Sequence, residues 1–265
     1  MSKTTISTLQ RAKDAGEKFT VLTAYDSTFA QLISRAGVDV LLVGDSLGMV
    51  VQGKDSTVPV TMDEMLYHVE AVYRGKGDAL LMADLPFMSY SNETDALDNA
   101  AELMRAGAQM IKLEGGAWLA GTIAKLNDCG IPICAHIGLT PQSIHKIGGY
   151  KIQGRDDQTA QQLMDDALTL ERAGADVLLM ECVPASLATQ ITQALSIPTI
   201  GIGAGPNTDA QVLVMHDMLG IATDYVPKFV KNFLAETDSV QAAIAAYVAA
   251  VKSGEFPGPE HCYSA

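Results

Sequence analysis

The sequence predicts an α/β protein folded as a closed (β/α)8 barrel, with an N-terminal helix and an extra C-terminal helix. Eight short apolar segments alternate with segments of helical periodicity along the chain. Three of the units, at 35–45, 105–114 and 172–181, repeat one pattern: Arg-Ala-Gly, an apolar strand, then an acid. A doubly wound open sheet is the competitor, but reactive residues end nearly every strand, which favours the single mouth of a barrel.

Most of the expected strands are continuous apolar runs, which is typical of strands buried on both faces in a parallel sheet. In chain order the eight strands are expected at 19–25, 40–43, 79–84, 110–114, 131–136, 177–181, 198–202 and 212–215. The last of them is the weakest, because a helix would fit the residues nearly as well. The turn at 201–205 is glycine-rich, and close packing explains it as well as phosphate binding does.

Segments with apolar residues at helical spacing separate the strands. Residues 5–13 predict an amphipathic helix ahead of the first strand. The later patterns lie at 29–36, 62–73, 97–104, 119–126, 163–170, 187–195 and 240–251. Two long connections remain, at 48–59 and 143–157. The second is polar and glycine-rich, and a connection this long inside a compact domain is usually functional.

Composition limits the possible classes of protein. The chain has 265 residues, and 48% of them are hydrophobic, which is enough for one large core. We therefore expect a single barrel domain over 1–265. Within it, residues 1–17 form the N-terminal helix and residues 224–265 form the C-terminal helices and tail. A formal net charge of −13 argues against nucleic-acid binding. No apolar run approaches the roughly 20 residues that cross a membrane, and the N-terminus lacks a secretory pattern. The four cysteines have no paired or metal-type spacing. We therefore expect a cytoplasmic protein with free thiols.

The strand ends carry the candidate chemistry. Following or ending the strands are Asp45, Ser46, Asp84, Glu114, His136 and Glu181, with Lys112 two residues before Glu114. Residues i and i+2 of a strand face the same side, so Lys112 and Glu114 point inward together. Carboxylates converging in one cavity repel each other, and a divalent cation removes that repulsion. Oxygen ligands with open positions suit Mg²⁺, and the lysine adds charge for a substrate carboxylate.

Each of these residues also has a structural interpretation. An acid such as Asp45 at a strand end can cap the following helix, and His136 alone is more often a core or supporting group than a ligand. The convergence of five such strand ends is what favours a metal-dependent site.

Seven motifs together resemble the ketopantoate hydroxymethyltransferase family. They include Leu-Val-Gly-Asp-Ser-Leu-Gly-Met at 42–49, Lys-Leu-Glu-Gly-Gly at 112–116, His-Ile-Gly-Leu-Thr-Pro-Gln-Ser at 136–143 and Gly-Tyr-Lys-Ile-Gln-Gly-Arg at 149–155. The others lie at 55–61, 83–88 and 201–205. The resemblance runs from about Thr4 to the C-terminal tail. It implies a TIM barrel of the phosphoenolpyruvate/pyruvate superfamily, bound Mg²⁺ and a homodecamer of two stacked pentameric rings.

The resemblance also implies the reaction. One carbon would pass from 5,10-methylenetetrahydrofolate, the co-substrate, to 3-methyl-2-oxobutanoate, giving 2-dehydropantoate in the first step of pantothenate synthesis. By similarity, the metal ligands are Asp45, Asp84 and Glu114, the last directly or through water. The 2-oxo acid would be bound by Asp45, Ser46, Asp84 and Lys112, with His136 lining the pocket. Glu181 would be the general base that forms a Mg²⁺-stabilised enolate.

Three other functions are alternatives to this hydroxymethyl transfer. Lys112 could form a Schiff base with the 2-oxo acid in a metal-independent aldolase. A cleaving enzyme of the isocitrate-lyase type has a similar mouth, but commonly relies on a catalytic cysteine motif that this sequence lacks. A non-catalytic ring scaffold is the third, although a scaffold needs no converging acidic site.

Overall fold

The expected barrel is confirmed in the structure, a computed structural model that describes residues 3–221 and 226–264. Eight parallel strands pair in chain order, and the first pairs with the last, so the sheet closes on itself. The strands are β1 (Phe19–Thr23), β2 (Val40–Val43), β3 (Leu80–Asp84), β4 (Met110–Glu114), β5 (Ile133–Gly138), β6 (Val177–Glu181), β7 (Thr199–Ile202) and β8 (Ala210–Leu213).

The helices follow the expected alternation, with three short helices that the sequence pattern did not reveal. They are α1 (Ile6–Ala15), α2 (Ser27–Arg35), α3 (Leu47–Val50), α4 (Met62–Gly75), α5 (Glu93–Ala106), α6 (Ala120–Asp128), α7 (Ile144–Ile147), α8 (Asp157–Arg172), α9 (Ala185–Ala194), α10 (Met215–Met218) and α11 (Val240–Ser253). The short helices α3 and α7 lie within the two long connections. None of the described helices is both long and apolar enough to cross a bilayer.

Helices at both ends of the chain pack onto the barrel. Thr5 caps α1 through a reciprocal pair of hydrogen bonds with Thr8. The helix α11 packs on β1 through Tyr247, which is fully buried. Its hydroxyl lies 2.8 and 2.9 Å from the carbonyl oxygens of Val21 and Gln211, so one side chain ties α11 to the β1–β8 seam. The expected terminal ranges 1–17 and 224–265 include residues outside the described part of the chain.

The expected position of the eighth strand is wrong by two residues. β8 spans Ala210–Leu213 rather than 212–215, and Met215 begins α10. The cause is Gln211, a polar residue that is buried in the strand. Its side-chain amide donates to the Gly205 carbonyl and to Thr208 Oγ1, which satisfies it inside the protein. Because the apolar run begins only after Gln211, hydrophobicity alone predicts a strand that starts two residues too late.

Close packing accounts for part of the glycine-rich turn after β7. A Cβ built on Gly201 would lie 2.6 Å from Thr208 Oγ1, and one on Gly205 would lie 2.5 Å from the Ala185 side chain. Both distances are shorter than real Cβ contacts. These two glycines are therefore explained by packing, without a bound phosphate.

Candidate active site

The register of the barrel brings the expected site residues side by side. Asp84 pairs with Lys112 across β3 and β4, and Glu114 pairs with His136 across β4 and β5. Residues paired in register point to the same face of the sheet, so these four side chains share the carboxyl-terminal mouth of the barrel. Gly138 pairs with Glu181 in the same way.

A single glycine allows β5 to run close to Glu181. Gly138 has a φ of +90°, and a Cβ there would overlap the Glu181 carbonyl oxygen. Any side chain at position 138 would push the end of β5 away from β6. This glycine therefore helps to set the distance between His136 and Glu181.

Three carboxylates form an acidic cluster in the mouth. Ligand atoms of Asp45, Asp84 and Glu114 all lie within 4.8 Å of one another, and all three residues are buried. Burial, followed by the charges of Asp84 and Glu114, raises the pKa of Asp45 well above its usual range. A bound dication would relieve this repulsion, and a donor set made only of oxygen fits Mg²⁺. The cluster therefore has the chemistry expected of a magnesium site.

Lys112 lies against this cluster. Its Nζ is 2.8 Å from Asp84 Oδ1 and 3.6 Å from Glu114 Oε1. Burial alone would lower the pKa of Lys112, but Asp84, Glu114 and Asp45 raise it above its ordinary value. The side chain is therefore a permanent cation beside the three carboxylates.

His136 lies between two glutamates. Its Nδ1 is 3.4 Å from Glu114 Oε1, and its Nε2 is 3.5 Å from Glu181 Oε2. Neither ring nitrogen makes a well-directed hydrogen bond with a described residue, although the ring is buried. Burial would raise the pKa of Glu114, but the His136 ring, Lys112 and the Gln142 N–H together lower it.

Glu181 is the most accessible of the acids in the mouth, with 14% of its side chain exposed. Burial, followed by the charge of Glu114, raises the pKa of Glu181 to about 8. A carboxyl group with a raised pKa is a stronger base once it is ionised, which suits proton abstraction near neutral pH.

Ser46 is half-buried and lies at the edge of the cluster. Its Oγ is 2.8 Å from the hydroxyl of Tyr25, which follows β1 and is buried. The carbonyl of Tyr25 is in turn 2.6 Å from His68 Nδ1 on α4. Tyr25 was not among the expected site residues, and only its position at the end of the expected first strand could have indicated it.

Gln142 is a site residue that sequence reasoning missed, although it lies in a family motif. Its Nε2 donates to Asp45 Oδ2 at 2.8 Å and to the Leu85 carbonyl at 2.9 Å. Its backbone N–H donates to Glu114 Oε2 at 3.0 Å. The Tyr90 hydroxyl donates to Gln142 Oε1 and lies 3.2 Å from the Glu114 carbonyl. Gln142 thus contacts two of the three clustered carboxylates, Asp45 through its side-chain amide and Glu114 through its backbone N–H.

The long connection after β5 reaches both sides of the mouth. The Tyr150 hydroxyl lies 3.3 Å from Met49 Sδ in α3, and the Gln153 N–H donates to the Cys182 carbonyl, directly after β6, at 2.9 Å. The connection thus lies beside both Ser46 and Glu181.

Known structures share the fold at low sequence identity. A phosphonopyruvate hydrolase superposes with a TM-score of 0.64 at 16% identity, covering 97% of this chain and 99% of that one. A 2,3-dimethylmalate lyase, described as a member of the PEP mutase/isocitrate lyase superfamily, superposes with a TM-score of 0.59 at 19% identity, covering 82% and 83%. These likenesses support the barrel architecture.

Comparisons of sequence find relatives of much higher identity. The family model described as ketopantoate hydroxymethyltransferase matches residues 3–259. A 3-methyl-2-oxobutanoate hydroxymethyltransferase of Marinobacter nauticus is 62% identical over 98% of this chain and 99% of its own length. The enzyme of the same name from Shewanella sp. (strain W3-18-1) is 58% identical over the full length of both chains. The chain therefore belongs to the ketopantoate hydroxymethyltransferase family.

Proposed function

We propose that this protein transfers a hydroxymethyl group from 5,10-methylenetetrahydrofolate to 3-methyl-2-oxobutanoate, giving 2-dehydropantoate for pantothenate synthesis. The observation that carries the proposal is one arrangement of side chains. A buried cluster of three carboxylates with a charged lysine faces a fourth carboxylate, Glu181, whose pKa is raised to about 8. Proton abstraction beside a keto group requires a bound cation and a base of suitable pKa in the same site.

Asp45, Asp84 and Glu114 would hold the Mg²⁺ ion. When bound, the cation supplies Lewis-acid stabilisation of the negative charge that develops on the keto oxygen. Lys112 provides a second positive charge, for the substrate carboxylate, and the Ser46 hydroxyl is available to donate a hydrogen bond to it. These cations counter the net negative charge of the chain at the place where the anionic substrate binds.

Glu181 is proposed to remove the proton from C3 of the 2-oxo acid. That proton lies on a tertiary carbon, so its removal needs a base of raised pKa close to the carbon. The carbanion formed at C3, with its charge delocalised to the keto oxygen, then forms a carbon–carbon bond to the methylene carbon of the folate. The two bonds from this carbon to the folate nitrogens break, water supplies the hydroxyl oxygen, and tetrahydrofolate leaves. His136 lines the pocket, with one ring nitrogen 3.4 Å from Glu114 and the other 3.5 Å from Glu181.

The alternative in which Lys112 forms a Schiff base has less support. A nucleophilic lysine must lose its proton, and this is favoured where the pKa of the amine is lowered. The pKa of Lys112 is raised instead, and its amine is paired with Asp84 at 2.8 Å. The contacts of Lys112 thus favour a charge-binding role.

The test is to incubate the protein with 3-methyl-2-oxobutanoate, 5,10-methylenetetrahydrofolate and Mg²⁺, and to look for 2-dehydropantoate by mass spectrometry. We expect product in the presence of Mg²⁺ and its loss in excess chelator. Full activity in chelator, together with covalent trapping of substrate by borohydride, would instead identify the Schiff-base aldolase.

The assembly is a separate proposal. We propose a homodecamer on the resemblance to the family, and a mass ten times that of the chain in light scattering would support it. A monomeric mass at micromolar concentration would contradict it.

A further inference from the structure

A positively charged segment lies at the mouth of this acidic protein. Residues 143–155, which we call the basic segment, contain Lys146, Lys151, Arg155 and His145 but no Asp or Glu, although the formal net charge of the chain is −13. All four basic side chains are exposed. Within the described residues none of them forms an ion pair. The segment therefore presents positive charge that is available to an anionic ligand.

The basic segment is held beside the site at two points. Tyr150 contacts Met49, which lies three residues after Ser46, and Gln153 binds the carbonyl of Cys182, the residue that follows Glu181. The segment thus lies along the rim between the base and the acidic cluster.

Tyr150 adds an aromatic surface to these charges. Tyr150 is 55% exposed, so its ring is accessible to solvent. Aromatic side chains of this kind bind flat ring systems by offset stacking. The rim therefore combines a ring-binding surface with nearby cations.

The charges inside the mouth determine which part of an anionic ligand can lie there. Asp45, Asp84, Glu114 and Glu181 repel any carboxylate other than the one balanced by Lys112 and the metal. A folate carries its glutamate carboxylates at the end of the molecule remote from the pterin ring and its one-carbon unit. Those carboxylates must remain outside the acidic cavity while the one-carbon unit reaches C3.

We propose that the basic segment binds the one-carbon donor, with Lys146, Lys151 and Arg155 holding the glutamate carboxylates and Tyr150 contacting the aromatic part. The inference rests on the proposed function, in which the donor is a reduced folate. The contacts lie away from the transferred carbon, so they act on donor binding and leave proton abstraction from the 2-oxo acid unchanged.

The test compares two donors in the triple variant K146Q/K151Q/R155Q. The donors are 5,10-methylenetetrahydrofolate and 5,10-methylenetetrahydropteroate, which lacks the glutamate. Loss of three exposed charge contacts should raise the KM for the folate about tenfold and that for the pteroate by less than about twofold. Added salt should reduce the difference between wild type and variant, because exposed charges are screened.

Two further variants separate binding from folding. Lys151 Nζ donates to the Ile147 carbonyl at 3.1 Å, so its loss also affects the end of α7. The double variant K146Q/R155Q keeps that contact, and we expect a smaller rise in KM, about fivefold, for the folate alone. The control R11Q/R105Q/K125Q removes three exposed charges from the outer helices α1, α5 and α6 and should leave both KM values unchanged.

The exchange of the C3 proton of 3-methyl-2-oxobutanoate with solvent, measured without donor, should be the same in all these variants. An equal rise in KM for both donors, or no rise for the folate in either variant, would overturn the proposal. Wild-type protein that forms no product from the folate would overturn the proposed function itself, and that result is obtained before any variant is compared.

Discussion

Replacement of Gln142 by leucine tests whether one buried amide supports the acidic cluster. Leucine has a similar size but no hydrogen-bonding groups, so the change removes the donor to Asp45 Oδ2 and to the Leu85 carbonyl. Tyr90 loses one partner but still lies 3.2 Å from the Glu114 carbonyl. Two buried acceptors are therefore left without their donor.

The expected cost follows from these two acceptors. A buried polar group that loses its partner costs about 1–3 kcal/mol, so Q142L should lower the free energy of unfolding by about 2–6 kcal/mol. The measurement is urea denaturation in excess chelator. Because supporting hydrogen bonds typically contribute 10–100-fold to metal affinity, calorimetry should also show Mg²⁺ binding about tenfold weaker or more.

Gln10 provides a matched control. Its Nε2 also donates to one carboxylate oxygen, of Asp14, and to one carbonyl, of Ser196, each at 2.9 Å, but on the exposed surface of α1. Water can replace the amide there, so Q10L should cost less than about 1 kcal/mol and leave Mg²⁺ affinity unchanged. Equal stability losses in Q142L and Q10L, with normal Mg²⁺ binding in both, would refute the role assigned to Gln142.

Three further predictions concern the base and the metal ligands. E181Q should slow C3 exchange by about 10²–10⁴-fold while calorimetry shows unchanged Mg²⁺ affinity; exchange at the wild-type rate would exclude Glu181 as the base. The rate of wild-type exchange should increase with pH as Glu181 loses its proton. The midpoint of this pH profile should lie above 4.5 and no higher than about 8, because bound Mg²⁺ opposes the upward shift in the pKa of Glu181. A midpoint at or below 4.5 would contradict a raised pKa. D84N should weaken Mg²⁺ binding at least about tenfold in calorimetry, because it removes a direct ligand, and undiminished affinity would place the metal elsewhere.

Much of the site could be predicted because its residues continue regular elements. Asp84, Glu114 and Glu181 each end an apolar strand, and the two-residue period of a strand places Lys112 on the same face as Glu114. In a barrel all such strand ends meet at one mouth. Local pattern and fold class together therefore indicated that these residues converge.

The supporting residues could not be predicted in the same way. Gln142 and Tyr90 lie in connections, and their contacts with Asp45 and Glu114 join parts of the chain that are far apart in sequence. The four-residue helices α3 and α7 are too short to show a period. The position of β8 was wrong because the partners that satisfy buried Gln211 are set by the tertiary structure.

Removal of the C3 proton of 3-methyl-2-oxobutanoate in this mouth should require a divalent cation. Proton NMR in deuterated buffer tests it directly, without folate, with Mg²⁺ or with excess chelator. We expect the methyl doublet to collapse to a singlet only when Mg²⁺ is present. Exchange at the same rate in chelator, or no exchange in either condition, would contradict it.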